Sequence, residues 1–173
     1  MSGFATRKRA SGEKRTSTRD DALNLLSFKS RSVSNLRSAL RRKGHSNDEI
    51  DEVVAEFLEK GYLNDLKTAE MWSESMMQTG NYGVNGIRTE LVQKGIPADM
   101  ASSCAEAAYE GFEELEVARK AVAKKFKGVD EKMEPREFEK FCGGVYRYLA
   151  HRGFSNDTVF RIINELRDKN QFS

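Results

Sequence analysis

The stretch LAHRGFSND, residues 149–157, decides the fold. A helical run stops at a glycine, leaves one large apolar residue beyond it, and restarts at once on Ser-Asn-Asp. The chain does this three times. NLRSALRRKGHSNDEI (35–50), GIRTELVQKGIPADM (86–100) and GVYRYLAHRGFSNDTV (144–159) align on Gly44, Gly95 and Gly153. The apolar residues ahead of the glycine agree: Val33, Leu36, Leu40; Val84, Ile87, Leu91; Cys142, Val145, Leu149. Offsets of 0, 3 and 7 lie on one face of a helix. A glycine four residues after the last of these can take the left-handed conformation that ends a helix. His45, Ile96 or Phe154 then folds back onto Leu40, Leu91 or Leu149. Ser46 with Glu49 reads as a capping box, and Ser155 caps in the same way. The second copy uses Pro97, suited to a first helical position.

Working outward, each stop-and-restart leads into another amphipathic helix. Ile50, Val53, Val54, Phe57 and Leu58 have helical spacing, as do Val159, Ile162, Ile163 and Leu166, while the middle equivalent is Ala-rich. Each is preceded by a further helical stretch, over about 20–30, 65–79 and 115–127. The expectation is an all-α chain of three tandem three-helix units, helix-turn-helix-like, at 20–64, 65–113 and 114–173, behind a basic arm at 1–19. One unit buries too little apolar area alone and gains by packing on its neighbour, which predicts an elongated, curved array. The stretch KGVDEKMEPRE (127–137) is the most polar connector and reads as a flexible joint.

Composition narrows the function. Of 173 residues, 38% are hydrophobic and 32% charged, with two prolines, a balance that suits helices and not a β-sandwich. No run approaches the ~18 apolar residues of a membrane span. The first twenty residues lack the apolar core of a signal peptide. Two cysteines, Cys104 and Cys142, give no disulfide framework, so a reducing cytoplasm is expected. The net charge of +2 hides an asymmetry: residues 1–44 hold twelve Lys/Arg against three Asp/Glu, leaving −7 for the rest. A basic front attracts polyanions.

Catalytic constellations are missing. His45 stands where Ile96 and Phe154 stand in the other copies and reads as a helix-end packing residue. His151 lies in a last helical turn, where a cation complements the dipole. Gly80, Gly83 and Gly86 form no dinucleotide fingerprint and read as a flexible turn, with Gly83 letting the next helix begin. Cys104 and Cys142 read as core, and Met71, Met76 and Met77 with Trp72 as packing. The chain reads as a non-enzyme without a metal or cofactor.

The basic residues are the remaining signal. Lys29, Arg31, Arg37, Arg41, Arg42 and Lys43 sit on or beside the second helix of the first unit, denser than capping needs. Arg88 repeats Arg37, and Lys43, Lys94 and Arg152 each precede a glycine stop, where a cation also stabilises the helix end by ~0.3–1 kcal/mol. The helices after the turn are acidic, with Asp48, Glu49, Asp51, Glu52 and Glu56, which argues against insertion into a DNA groove.

The order of Leu25-Leu26, Lys29, Arg31-Ser32, Leu36, Leu40 and Lys43-Gly44, then Gly61-Tyr62-Leu63-Asn64-Asp65, resembles the bacterial RecX family of RecA modulators. Tyr82-Gly83, Ile87-Arg88, Leu91, Lys94-Gly95-Ile96, Leu149 and Arg152-Gly153-Phe154 continue the resemblance, which spans about residues 20–168. It implies three tandem three-helix repeats and a monomer that binds RecA filaments on single-stranded DNA. It also implies suppression of RecA ATP hydrolysis, strand exchange and co-protease activity. The segment before Tyr82-Gly83, often basic in the family, is Met76-Met77-Gln78-Thr79 here. That moves the expected RecA or DNA contacts to the first unit, then to Arg88, Lys94, Arg147 and Arg152. The competing reading is a helical DNA-binding protein acting without RecA, which predicts tight binding to bare DNA.

Overall fold

A computed structural model describes residues 16–126 and 133–172. Among these residues there are nine α-helices and no strand. They are α1 (Thr18–Phe28), α2 (Val33–Arg42), α3 (Asn47–Glu59), α4 (Asp65–Thr79), α5 (Val84–Gln93), α6 (Ala98–Ala108), α7 (Glu114–Lys125), α8 (Pro135–His151) and α9 (Asn156–Phe172). The densest packing lies within the trios α1–α3, α4–α6 and α7–α9. Most of the basic arm, residues 1–15, lies outside the described residues, as do residues 127–132 of the connector. Helix α1 begins on Thr18, capped by Ser17. The last residues of the polar stretch 127–137 belong to α8, with Pro135 in its first turn.

The glycine stops form as their spacing predicts. Gly44, Gly95 and Gly153 have φ of 91°, 82° and 70°. The amides of His45, Ile96 and Phe154 donate to the carbonyls of Leu40, Leu91 and Leu149 at 3.3, 3.1 and 3.1 Å. Three Schellman motifs therefore close α2, α5 and α8. Ser46 and Glu49 make the capping box, and the Thr158 amide donates to Ser155 Oγ at 3.2 Å. Pro97 differs from expectation. It is the cap of α6 rather than its first residue, because its ψ of 143° is still extended.

Two cores follow. Leu36, Leu40, Ile50, Val54 and Phe57 close a core belonging to the first trio. A second core runs without a break through α4–α9, including Ile87, Leu91, Ala105, Leu149, Phe154 and Val159. Cys104 and Cys142 are buried, and burial raises both thiol pKa values. Met77 is buried and Met76 and Trp72 pack against this core, but Met71 is exposed, with its Sδ 3.9 Å from Ser30 Oγ of the first trio.

The middle helices meet C-terminus to N-terminus. Ser32 Oγ, at the head of α2, donates to the Lys94 carbonyl at the tail of α5, at 2.5 Å. The Gly83 amide, at the head of α5, donates to the Arg152 carbonyl at the tail of α8, at 3.0 Å. Ser32 and Gly83 both precede the first apolar residue of their repeat, so one docking geometry occurs twice. It sets the negative end of one helix dipole against the positive end of the next.

Gly83 and Gly86 are accordingly not a flexible turn. Both are buried. A Cβ on Gly86 would lie 2.0 Å from the Arg152 carbonyl oxygen, and one on Gly83 2.5 Å from the Gly153 oxygen. Glycine is needed there so that two backbones can touch.

Candidate polyanion interface

The first-unit cations are largely engaged within the chain. Arg37 is ion-paired with Asp51, and Lys43 Nζ reaches Asp21 Oδ1 at 2.8 Å. Arg41 Nε donates to Asn47 Oδ1 at 3.0 Å, and Arg31 Nε to the Leu25 carbonyl at 3.2 Å. Lys29, at the C-cap of α1, is exposed. Arg41, Arg42 and Lys94 come together across the first junction. They line a hollow of about 450 Å³ with Ser34, Asn35, Ser38, Gln93 and Gly95. Within it Lys94 is paired with Glu90 at 2.8 Å. Arg37, Lys43, Arg31, Lys29 and the exposed Arg88 do not line this hollow.

His45 packs at the end of α2, and it does more than pack. Its Nδ1 lies 2.9 Å from Thr18 Oγ1 and its Nε2 2.7 Å from Asp21 Oδ2. The hydrogen bonds from Lys43 and then His45 hold the Asp21 carboxyl below the usual carboxylate range. Thr18, Asp21 and His45 are each only 7% exposed, so this hydroxyl–imidazole–carboxylate chain is closed to a substrate. It ties α1 to the tail of α2. The clue available in the sequence is a polar residue, His45, at a position that is apolar in both other repeats.

A second hollow, of about 590 Å³, lies beside the second junction. Its lining is Asn81, Lys124, Lys125, Arg147, Tyr148, His151 and Arg152. Arg147 and Arg152 are brought together as candidate residues, and Lys124, Lys125 and His151 join them. The sequence pattern missed these last three because the tails of α7 and α8 are separated along the chain by the whole of α8 and meet only in the fold. Among the described residues no acidic side chain lines the hollow. Lys124 Nζ makes one long contact, 3.4 Å, to the Thr79 carbonyl. The Arg152 guanidinium lies 4.7 Å from the Tyr82 ring centroid and 5.8 Å from that of Tyr148. Like charges in a concave wall reinforce one another's field and attract an anion.

Among the described residues no group of three or more His, Cys, Asp or Glu side chains could hold a metal ion. No described helix is long and apolar enough to cross a membrane.

Comparison with known proteins agrees with this architecture. Residues 19–57 match the model of the first three-helix domain of RecX, and residues 64–103 that of the second. The chain is 31% identical over 145 residues to the regulatory protein RecX of Haemophilus influenzae (strain PittEE), covering 83% of this chain and 90% of that protein. It is 30% identical over 148 residues to that of Legionella pneumophila (strain Corby), covering 86% and 93%. The crystal structure of RecX from Lactobacillus salivarius superposes with a TM-score of 0.65 at 26% identity, covering 87% of this chain and 94% of that one. The chain belongs to the RecX family.

Proposed function

We propose that this RecX-family chain is a regulator that docks on the RecA filament assembled on single-stranded DNA. It restrains ATP hydrolysis, strand exchange and co-protease activity there, without chemistry or a cofactor of its own. The reading also takes the protein as a cytoplasmic monomer. One observation carries it: the units are joined in series by a repeated head-to-tail contact, with a basic hollow beside each junction. An array of that kind can touch several protomers of a helical filament at once. Weak contacts made together then act as one through high effective concentration. The basic candidates are Lys29, Arg31, Arg37, Arg41, Arg42, Lys43, Arg88, Lys94, Arg147 and Arg152. Those already paired within the chain need to exchange partners on docking.

The test is RecA ATP hydrolysis on circular single-stranded DNA, with this protein titrated far below the RecA concentration. Inhibition at a small fraction of the RecA level is the expected result. Undiminished hydrolysis at equal concentrations would refute the reading and leave a DNA-binding protein acting without RecA.

A further inference from the structure

We infer that the hollow at the second junction, lined by Lys124, Lys125, Arg147 and Arg152, is a binding site for the backbone of a single nucleic-acid strand. The inference deepens the filament reading and rests on it for the choice of a single strand over a duplex.

Lys124 and Lys125 close α7, Arg147 lies near the end of α8, and Arg152 is its C-cap. A cation in a last helical turn complements the dipole, but two helices aiming four cations into one hollow exceeds that need. None of the four is in a salt bridge among the described residues, whereas Arg37 and Lys43 in the first unit and Lys94 at the first junction are. Crowded like charges without a counter-charge repel, and a string of phosphates relieves them.

The geometry favours a strand over an acidic protein surface. Among the described residues the lining holds two rings, His151 and Tyr148, and Tyr148 is held edge-on against Phe126 at 5.7 Å and 83°. A fixed aromatic beside a basic groove is what a base stacks on. Among the described residues no aliphatic anchor of the kind a protein interface buries lines the hollow. Arg152 is set in advance: its carbonyl is fixed by the Gly83 amide and its guanidinium lies near two tyrosine rings.

The test is fluorescence anisotropy of a labelled oligo(dT) of about 20 nucleotides with the full chain, over a range of salt, without RecA. Lys124→Glu with Lys125→Glu alters exposed side chains. This double variant should weaken binding at least 10-fold. It should also lower the slope of log K against log salt by about 1.4, the ~0.7 per contact of a single strand taken twice. Arg147→Gln is a milder variant with an expected slope change of about 0.7. Circular dichroism confirms that both remain folded. Wild-type affinity in both folded variants, or no binding by the wild type, overturns the inference. Variants that keep oligonucleotide affinity but lose inhibition of RecA ATPase also overturn it, since the hollow then holds an acidic protein surface. A wild type that binds the strand here yet leaves RecA ATPase unchanged keeps the site and removes the filament reading.

Discussion

The two junctions use the same helix ends and close them differently. Between the second and third units, backbone touches backbone at Gly83 and Gly86, and one apolar core continues across. Between the first and second units the ties are polar: Ser32 Oγ to the Lys94 carbonyl at 2.5 Å, and the Val33 amide to Asp65 Oδ1 at 2.8 Å. The first unit keeps its own core. A Cβ on Gly95 would first meet the side chains of Ser34 and Ser32, whereas one on Gly86 would first meet main-chain atoms of Arg152 and Gly153. The difference teaches that a repeated contact does not imply uniform cooperativity. Apolar continuity couples units strongly, because any opening exposes core to water. Two hydrogen bonds contribute about 1 kcal/mol each. The first unit is thus the part that opens with least cost relative to the others.

The largest expected effect breaks the tight junction. Gly86→Val should destabilise the second and third units by about 3 kcal/mol, the upper range for forced overpacking. Urea unfolding followed by circular dichroism would then separate into two transitions. A single wild-type-like transition would show that the glycine contact does not hold the units together.

Next is Asp21→Asn, which weakens the bonds to Lys43 and His45 and should cost the first unit about 2 kcal/mol. The same group gives this unit a pH dependence. Its folded pKa is lowered, so its contribution is complete above the ordinary value of 3.8 and fades as pH falls below that. Amide exchange between pH 6 and 3 should show α1 and α2 losing protection first, and Asp21→Asn should flatten that profile.

Ser32→Ala is a smaller change. It removes both the α2 cap, which accepts the Asn35 amide at 3.1 Å, and the tie to Lys94. About 1–2 kcal/mol should be lost. Exchange should quicken in α2 and leave α8 and α9 unaltered; equal loosening of all three units would mean the polar junction couples as strongly as the apolar one. The smallest effect is on stability in Lys124→Glu with Lys125→Glu, within about 0.5 kcal/mol, as surface changes usually are. A thermal melt checks it.

Much of this was readable because it is local. The glycine stops, the Ser46–Glu49 box and the apolar face of α2, α5 and α8 depend on residues within one or two turns of each other. Family resemblance was also readable, since it lies in the order of these short signals. The candidate site was legible only in part. Arg152 stood out by repeat position and Arg147 as a secondary candidate, but Lys124 and Lys125 gain meaning only when α7 ends beside α8. Arg37 and Lys43 looked available in a basic run, and their partners Asp51 and Asp21 come from neighbouring helices.

The sequence by itself determined the three glycine stops, the restarts that follow them and their threefold grammar, because capping and amphipathic spacing act over a few residues. Only the tertiary structure decided which helix tail meets which helix head, which cations keep a counter-charge, and why Gly83 and Gly86 must lack side chains. Those are consequences of groups far apart in the chain coming within a few ångströms, a distance that no local pattern encodes.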